Sequence, residues 1–403
     1  MLLHLCRGCK GQTSLILDLG RTAPSRRFLT PEMTLRPEPN APLRLARCQT
    51  CGLLQLDEAC PGEPDEWSAG PPADAEANAR QLVERHGLQS SDLVLEIGDG
   101  AYAARFRPFG VRTRAIVSPE QIERRDFGTA KVVLARNALC GTDLEPFLNL
   151  VRDLLYHDGV AIFELSHALP IVERLEYDAI RHETPCYFSV EGLCLLAART
   201  GLEVIDAVPL PEEPGIIRVT LQREGGPLFA RPAIEAMIAR EQTVGVNRLE
   251  AWADFAQLVQ QSRDLLTSEI EDWHYRGKRV VAYSRDGRGM TLLAYCGIDS
   301  RQIPFVVDQN PELHGRLTPG HRIRIVGPEQ LRRDRADVIL WLAGNWKPEL
   351  SAPLAEYCRR DARNLLPLPK PHYAGLVPTA HQRMADQRLA DTIVPGLSFS
   401  DFA

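Results

Sequence analysis

A chain of 403 residues exceeds what one ordinary core accommodates and predicts two or three domains. Its make-up, 44% hydrophobic and 25% charged with a net charge of −6, is that of a soluble globular protein and argues against a nucleic-acid-binding surface. The start Met1-Leu2-Leu3-His4-Leu5-Cys6 has no basic leader, and no run of about 18 apolar residues occurs, so the expected place is the cytoplasm with no membrane partner.

Thiols stay reduced in that compartment, so the ten cysteines read as ligands or core fillers. Four form a pattern: Cys6-x-x-Cys9 and Cys48-x-x-Cys51, with a strand-like segment at 15–20 and a Pro-rich loop at 31–42 between them. Two such pairs on tight turns close a tetrahedron around one zinc ion. Four thiolates leave no open position, so the expected role is structural. Cys60, Cys140, Cys186, Cys194, Cys296 and Cys358 are scattered and read as buried small hydrophobes.

After a Pro/Gly-rich linker, a helix is predicted over 73–87, stopped by Gly87. A buried strand, Leu93 to Gly98, then runs into Glu96-Ile97-Gly98-Asp99-Gly100. An acid followed by a glycine turn serves either a nucleoside cofactor, whose approach needs bare backbone, or packing alone. Strands are predicted at 113–117, 131–135, 160–164, 202–208 and 216–221, with helices at 143–155 and 190–200. This alternation predicts an α/β fold with a doubly wound parallel sheet.

Between 180 and 190 the chain gathers Arg181-His182-Glu183-Thr184-Pro185-Cys186-Tyr187-Phe188-Ser189, on an expected loop before a helix. Loops of that kind carry active sites in this architecture, and a solvated charged loop is the plain alternative. Residues 231–276 read as long helices. A second α/β unit follows, with strands at 279–283, 304–308 and 338–343 and a helix at 290–296. Its turn, Tyr283-Ser284-Arg285-Asp286-Gly287-Arg288-Gly289, offers backbone N–H groups and two arginines, Arg285 and Arg288, to a phosphate, or packs a helix on a strand. The tail beyond about 366 is Pro-rich, without periodicity, and is expected to wrap the surface or fray.

Together these residues resemble a known family, the three-domain, zinc-containing C-methyltransferases that act on nucleotide-linked keto-deoxysugars in antibiotic pathways. The zinc module matches through Cys6-x-x-Cys9, Leu17-Asp18-Leu19-Gly20 and Cys48-x-x-Cys51-Gly52-Leu53-Leu54-Gln55-Leu56. The C-terminal part matches through Gly289-x-Thr291-Leu292-Leu293-x-Tyr295-Cys296-Gly297-Ile298, Val306-Val307-Asp308-x-Asn310-Pro311, Gly315-Arg316-x-x-Pro319-Gly320 and Asn345-Trp346. The resemblance implies a zinc-ribbon-like domain at 1–65 and a class I methyltransferase-like, Rossmann-like domain at 66–225. It further implies a helical connection at 226–276, a C-terminal Rossmann-like domain at 277–366 and a tail at 367–403.

It also implies cofactors and site residues: structural zinc, S-adenosylmethionine at Glu96, Gly98, Asp99, Gly100 and Asn137, and a small, possibly nucleotide-linked substrate near Arg218, Arg285 and Arg288. In the family a base removes a proton alpha to a ketone, and the enolate attacks the cofactor methyl. His182, Glu183, Arg181 and Tyr187 stand at the corresponding motif. The positions of the family's catalytic tyrosine and histidine hold Arg181 and Thr184. A pocket-lining His-Gly-Gly is Glu213-Pro214-Gly215, the glycine loop is clipped, and the second strand ends in Ser118-Pro119 rather than an acid, with Glu120 just beyond. Three functions follow: methyl transfer to an enolisable carbon, a cofactor-independent isomerase, epimerase or cyclase on the same scaffold, or a non-catalytic binding protein.

Overall fold

The computed structural model describes residues 5–58, 60, 74–117, 121–136, 143–284, 288–342 and 362–374. Of the expected site residues, Asn137 and Arg285 lie outside that set, as does the side chain of Arg288.

The N-terminal lobe is an antiparallel sheet of β1 (Thr13–Thr22), β2 (Ala41–Cys48) and β3 (Leu54–Leu56). Leu17, Leu19, Leu43, Leu45, Leu54 and Leu56 are buried from these strands and form part of the main core. The sheet's fourth strand comes from far along the chain: β8 (Cys186–Tyr187) pairs with β3 through Leu54↔Tyr187.

In the middle domain, α1 (Ala75–His86) stops at Gly87, which takes the left-handed conformation. The parallel strands β4 (Leu93–Ile97), β5 (Arg112–Ile116), β6 (Ala130–Arg136) and β7 (Leu155–Ser166) follow, with α2 (Leu144–Leu154) before β7. After α3 (Leu169–Glu173) and the β8 loop come α4 (Val190–Ala198), β9 (Leu202–Pro209) and β10 (Ile216–Arg223). The sheet order is β5-β4-β6-β7-β10-β9, and β10 runs antiparallel to both neighbours. Because β5 and β6 flank β4, the order reverses beside β4. In open α/β sheets such a switch point opens a crevice at the carboxyl ends of the strands.

Between β4 and β5 the chain forms a 3-10 helix, Ala103–Phe109, containing Pro108. Proline lacks the N–H that a longer α-helix would need there. One sheet face buries Val94, Val132, Leu134 and Ile162 under α1 and this turn, while the opposite face joins the main core.

Two helices, α5 (Pro232–Val244) and α6 (Leu249–Tyr275), lead into the C-terminal domain. Along α6 Trp252, Phe255, Val259, Leu266, Ile270 and Trp273 recur at helical spacing and are buried. The last domain comprises β11 (Val280–Tyr283), α7 (Arg288–Cys296), β12 (Phe305–Val307), β13 (Arg324–Val326), α8 (Gln330–Arg333), β14 (Val338–Trp341), β15 (Arg363–Leu366) and β16 (His372–Ala374). Its order β13-β12-β11-β14-β15-β16 is parallel up to β15, the Rossmann arrangement, with β16 antiparallel at the edge. The start of the expected tail is therefore an edge strand. Tyr373 anchors it, its hydroxyl 2.6 Å from Trp273 Nε1.

Candidate active site and zinc centre

The four cysteines converge as their spacing requires. Their sulfurs all lie within 4.8 Å of one another, with Cys6–Cys51 at 3.6 Å and Cys9–Cys48 at 3.4 Å. Sulfurs about 2.3 Å from a central zinc are about 3.8 Å apart in a tetrahedron, so the set fits that ion. Backbone N–H groups of Gly8 and Thr50 donate to Cys6 and Cys48 Sγ, both at 3.3 Å, the polarity that thiolates require. The Cys6–Cys51 contact lowers the Cys6 thiol to about 5, while that contact and burial raise that of Cys51. Four thiolates at this separation need a cation among them.

The lobe that this centre holds reaches the charged loop at 177–187 directly. His182, buried with its pKa lowered by that burial, has Nε2 3.0 Å from Thr22 Oγ1 and 3.1 Å from the Thr22 carbonyl. Glu183 accepts from the Arg26 N–H at 2.8 Å and from Ser25 Oγ at 3.0 Å. Both side chains join the loop to the end of β1. The backbone N–H of Leu56 bonds the Pro185 carbonyl at 2.8 Å, beside the β3–β8 pairing. From the opposite side Thr291 on α7 donates to the Ile180 carbonyl at 2.9 Å. Its neighbour Gly289 lies so close to β14's end that a Cβ would sit 2.2 Å from that of Leu342. Thus the two stretches most like the known family both position this loop.

Inside the loop, at the carboxyl end of β7 and the start of β10, is a cavity of about 50 Å3. His167, Glu176, Arg181, Thr184, Tyr187 and the Pro214–Gly215 turn are among its walls. Arg181 Nε donates to Thr184 Oγ1 at 3.1 Å, while its buried Nη1 has no hydrogen-bond partner among the described residues. The Tyr187 hydroxyl donates to the Ala179 carbonyl at 3.0 Å and accepts from the Arg181 N–H at 3.1 Å. Arg181 and Tyr187 therefore meet at the cavity, whereas His182 and Glu183 face the zinc lobe. The cavity also includes a residue the sequence reading passed over: His167, whose Nε2 is 2.8 Å from the buried Glu241. These residues are 74 apart in sequence, and no local motif announces the pair.

Beside the switch point, Glu96 is buried at the end of β4. Burial raises its pKa, and its carboxylate accepts from the Ala103 N–H at 2.6 Å. Gly100 has φ +85°, and a Cβ there would stand 2.8 Å from that of Ala115 on β5. Asp99 stays at the surface, accepting from the Ala101 N–H at 2.8 Å. In the part described, the acid, the bare glycine turn and the start of a helical turn fit the amino-acid end of a nucleoside cofactor. Arg218 belongs to a buried polar cluster on the next row of the sheet. It bonds Glu164 Oε1 through Nη2 at 2.7 Å and Nε at 3.1 Å, and Asn78 through Nη1 at 3.2 Å. Arg136 pairs with Glu213 and lies 3.7 Å from Glu164.

A sheet of this order, a four-cysteine lobe and a loop clamped between the lobe and a second Rossmann-like domain define a zinc-containing, methyltransferase-like protein. Two family models match the chain: "Putative zinc binding domain" over residues 6–64 and "C-methyltransferase C-terminal domain" over residues 211–369. C-methyltransferase NovU of Streptomyces niveus is 29% identical over 408 residues, covering 91% of this chain and 96% of NovU. The chain belongs to the zinc-containing C-methyltransferase family. Among solved structures, the CcbJ methyltransferase of Streptomyces caelestis matches 40% of this chain and 94% of its own, at 15% identity and a TM-score of 0.29. The 1,6-didemethyltoxoflavin-N1-methyltransferase of Burkholderia thailandensis matches 38% and 79%, at 15% identity and a TM-score of 0.28. Among the described residues no helix is long and apolar enough to cross a membrane.

Proposed function

We propose that this chain is a C-methyltransferase of natural-product metabolism, acting on the enolisable carbon of a small keto-sugar-like molecule. The observation that carries the reading is Arg181. Its Nη1 is buried without a partner among the described residues, and the side chain lines the cavity at the carboxyl end of β7. A cation at such a place stabilises the oxyanion that develops when a carbon beside a carbonyl loses its proton, typically worth 10²-fold or more in rate. Thr184 holds that guanidinium through Nε, and Tyr187 holds the Arg181 main chain through its backbone N–H. The cavity takes the reacting end of a substrate, leaving the rest outside.

Glu96 and the backbone of residues 98–100 would hold S-adenosylmethionine. When bound, it supplies the electrophilic methyl group. The zinc is fold-holding, because its closed four-sulfur set offers substrate no position. Incubation with methyl-labelled S-adenosylmethionine and a panel of keto-sugars tests the reading. A carbon-bound label in the product supports it, and label appearing only on oxygen or nitrogen rejects it.

The glycine turn favours a second reading. Glu96 already accepts from Ala103, and Gly100 is already required by its contact with Ala115. On that reading the enolate is reprotonated, giving isomerisation or epimerisation without a methyl donor. Deuterium entering a recovered, unmethylated substrate in cofactor-free solution distinguishes it.

A further inference from the structure

From this geometry we infer that His167, held by Glu241, is the base that takes the substrate's α-proton. The inference rests on the enolising reading above and names the group which that chemistry needs, since Thr184 cannot serve as a base at neutral pH.

Glu241, on α5, is fully buried. Its carboxylate accepts from the Val190 N–H at 2.8 and 3.0 Å and from the Glu191 N–H at 3.3 Å, at the N-terminus of α4. A carboxylate engaged in this way only accepts, so the Nε2 of His167, 2.8 Å away, must donate to it. Of the two tautomers of a neutral imidazole, that contact selects the one with its proton on Nε2 and its lone pair on Nδ1. His167 lines the same cavity as Arg181, and its Nδ1 has no hydrogen-bond partner among the described residues. The main chain that carries the ring is itself fixed: the His167 N–H bonds the Gly215 carbonyl, and the Ala168 N–H bonds that of Phe188, each at 2.9 Å.

The step balances within the chain. Nδ1 takes the proton, the C–H electron pair forms the carbon–carbon double bond, and the carbonyl π pair moves to oxygen beside the Arg181 guanidinium. Glu241 faces the imidazolium that results. A carboxylate behind a histidine is the arrangement by which enzymes set both tautomer and orientation.

The test uses the full-length zinc-loaded chain in deuterium oxide with millimolar hydroxyacetone, and H167Q beside it. Glutamine keeps an N–H for Glu241 but has no basic nitrogen, so a merely structural histidine would be replaced without loss. Wild type should exchange the α-protons above the buffer rate, and H167Q should lose at least about 10²-fold. Equal exchange by the two overturns the role of His167 and leaves the enolising reading standing. No exchange by wild type counts against that reading itself. Independently of any substrate, nitrogen-15 NMR of the histidines should show neutral His167 protonated on Nε2. A proton on Nδ1 instead overturns the inference.

Discussion

The carboxylate of Glu164 on β7 and the guanidinium of Arg218 on β10 stand opposite each other in register, bonded through two nitrogens to one oxygen. Both are buried, so each has surrendered hydration for the other. Truncating Arg218 leaves the Glu164 carboxylate with only the more distant Arg136, 3.7 Å away, among the described residues. Arg218→Met should therefore destabilise the middle domain by about 3–5 kcal/mol. Adding Glu164→Gln should recover part of that loss. Calorimetric melting checks this, and a single variant that melts like wild type would contradict the pairing.

The zinc lobe's sheet contains β8, so the metal and the cavity are structurally coupled. Metal analysis of purified protein should give one zinc per chain. Cys6→Ser or a strong chelator should unfold the lobe, since structural sites of this kind supply about 10–16 kcal/mol of apparent binding free energy. Hydrogen exchange at residues 186 and 187 should then accelerate with that of β3. Unchanged protection there would show that the site loop folds without the lobe.

Arg181 gives a sharper functional test. Arg181→Met keeps the volume but removes the cation, and product formation should fall at least about 10²-fold with little change in melting. Arg181→Lys should restore only part, because an ammonium lacks the fixed fork that Thr184 orients. Full activity in the methionine variant would exclude an oxyanion role.

His86 predicts a pH effect far from the cavity. Burial, aided by Arg85, Arg231 and Lys131, lowers its pKa to about 4. The unfolded chain binds this proton near pH 6.5 and the folded one only near 4. Stability is therefore fully present above pH 6.5 and declines as pH falls between these values, by at most about 3 kcal/mol. His86→Gln should flatten that stretch of the melting-versus-pH curve. An unaltered slope would place the acid sensitivity elsewhere.

Legibility in the sequence follows the range of the interactions involved. The cysteine pairs were readable because each is a local turn, and the strands because buried runs such as Val132 to Ala135 have no polar face to disguise them. Helix α1 ends where Gly87 says it should. The division of the 181–189 loop was not readable. Within one charged stretch Arg181 and Thr184 line the cavity while His182 and Glu183 between them face the zinc lobe, a choice made by β3 pairing with β8 and by Thr22, Ser25 and Arg26 waiting at the end of β1. Nor was His167–Glu241, since an acid in the last turn of α5 looks like a solvated one until α4 places its N-terminus over it. The edge strand at 372–374 escaped for a similar reason: its partner in packing, Trp273, is 100 residues earlier.

Methyl transfer requires that the crevice beside Glu96 take the methyl donor. Titration calorimetry of S-adenosylhomocysteine into the zinc-loaded chain measures this without knowledge of the substrate. Methyl transfer predicts saturable heat with one site per chain. No heat at millimolar ligand would contradict it and leave cofactor-independent proton transfer as the chemistry of the pocket.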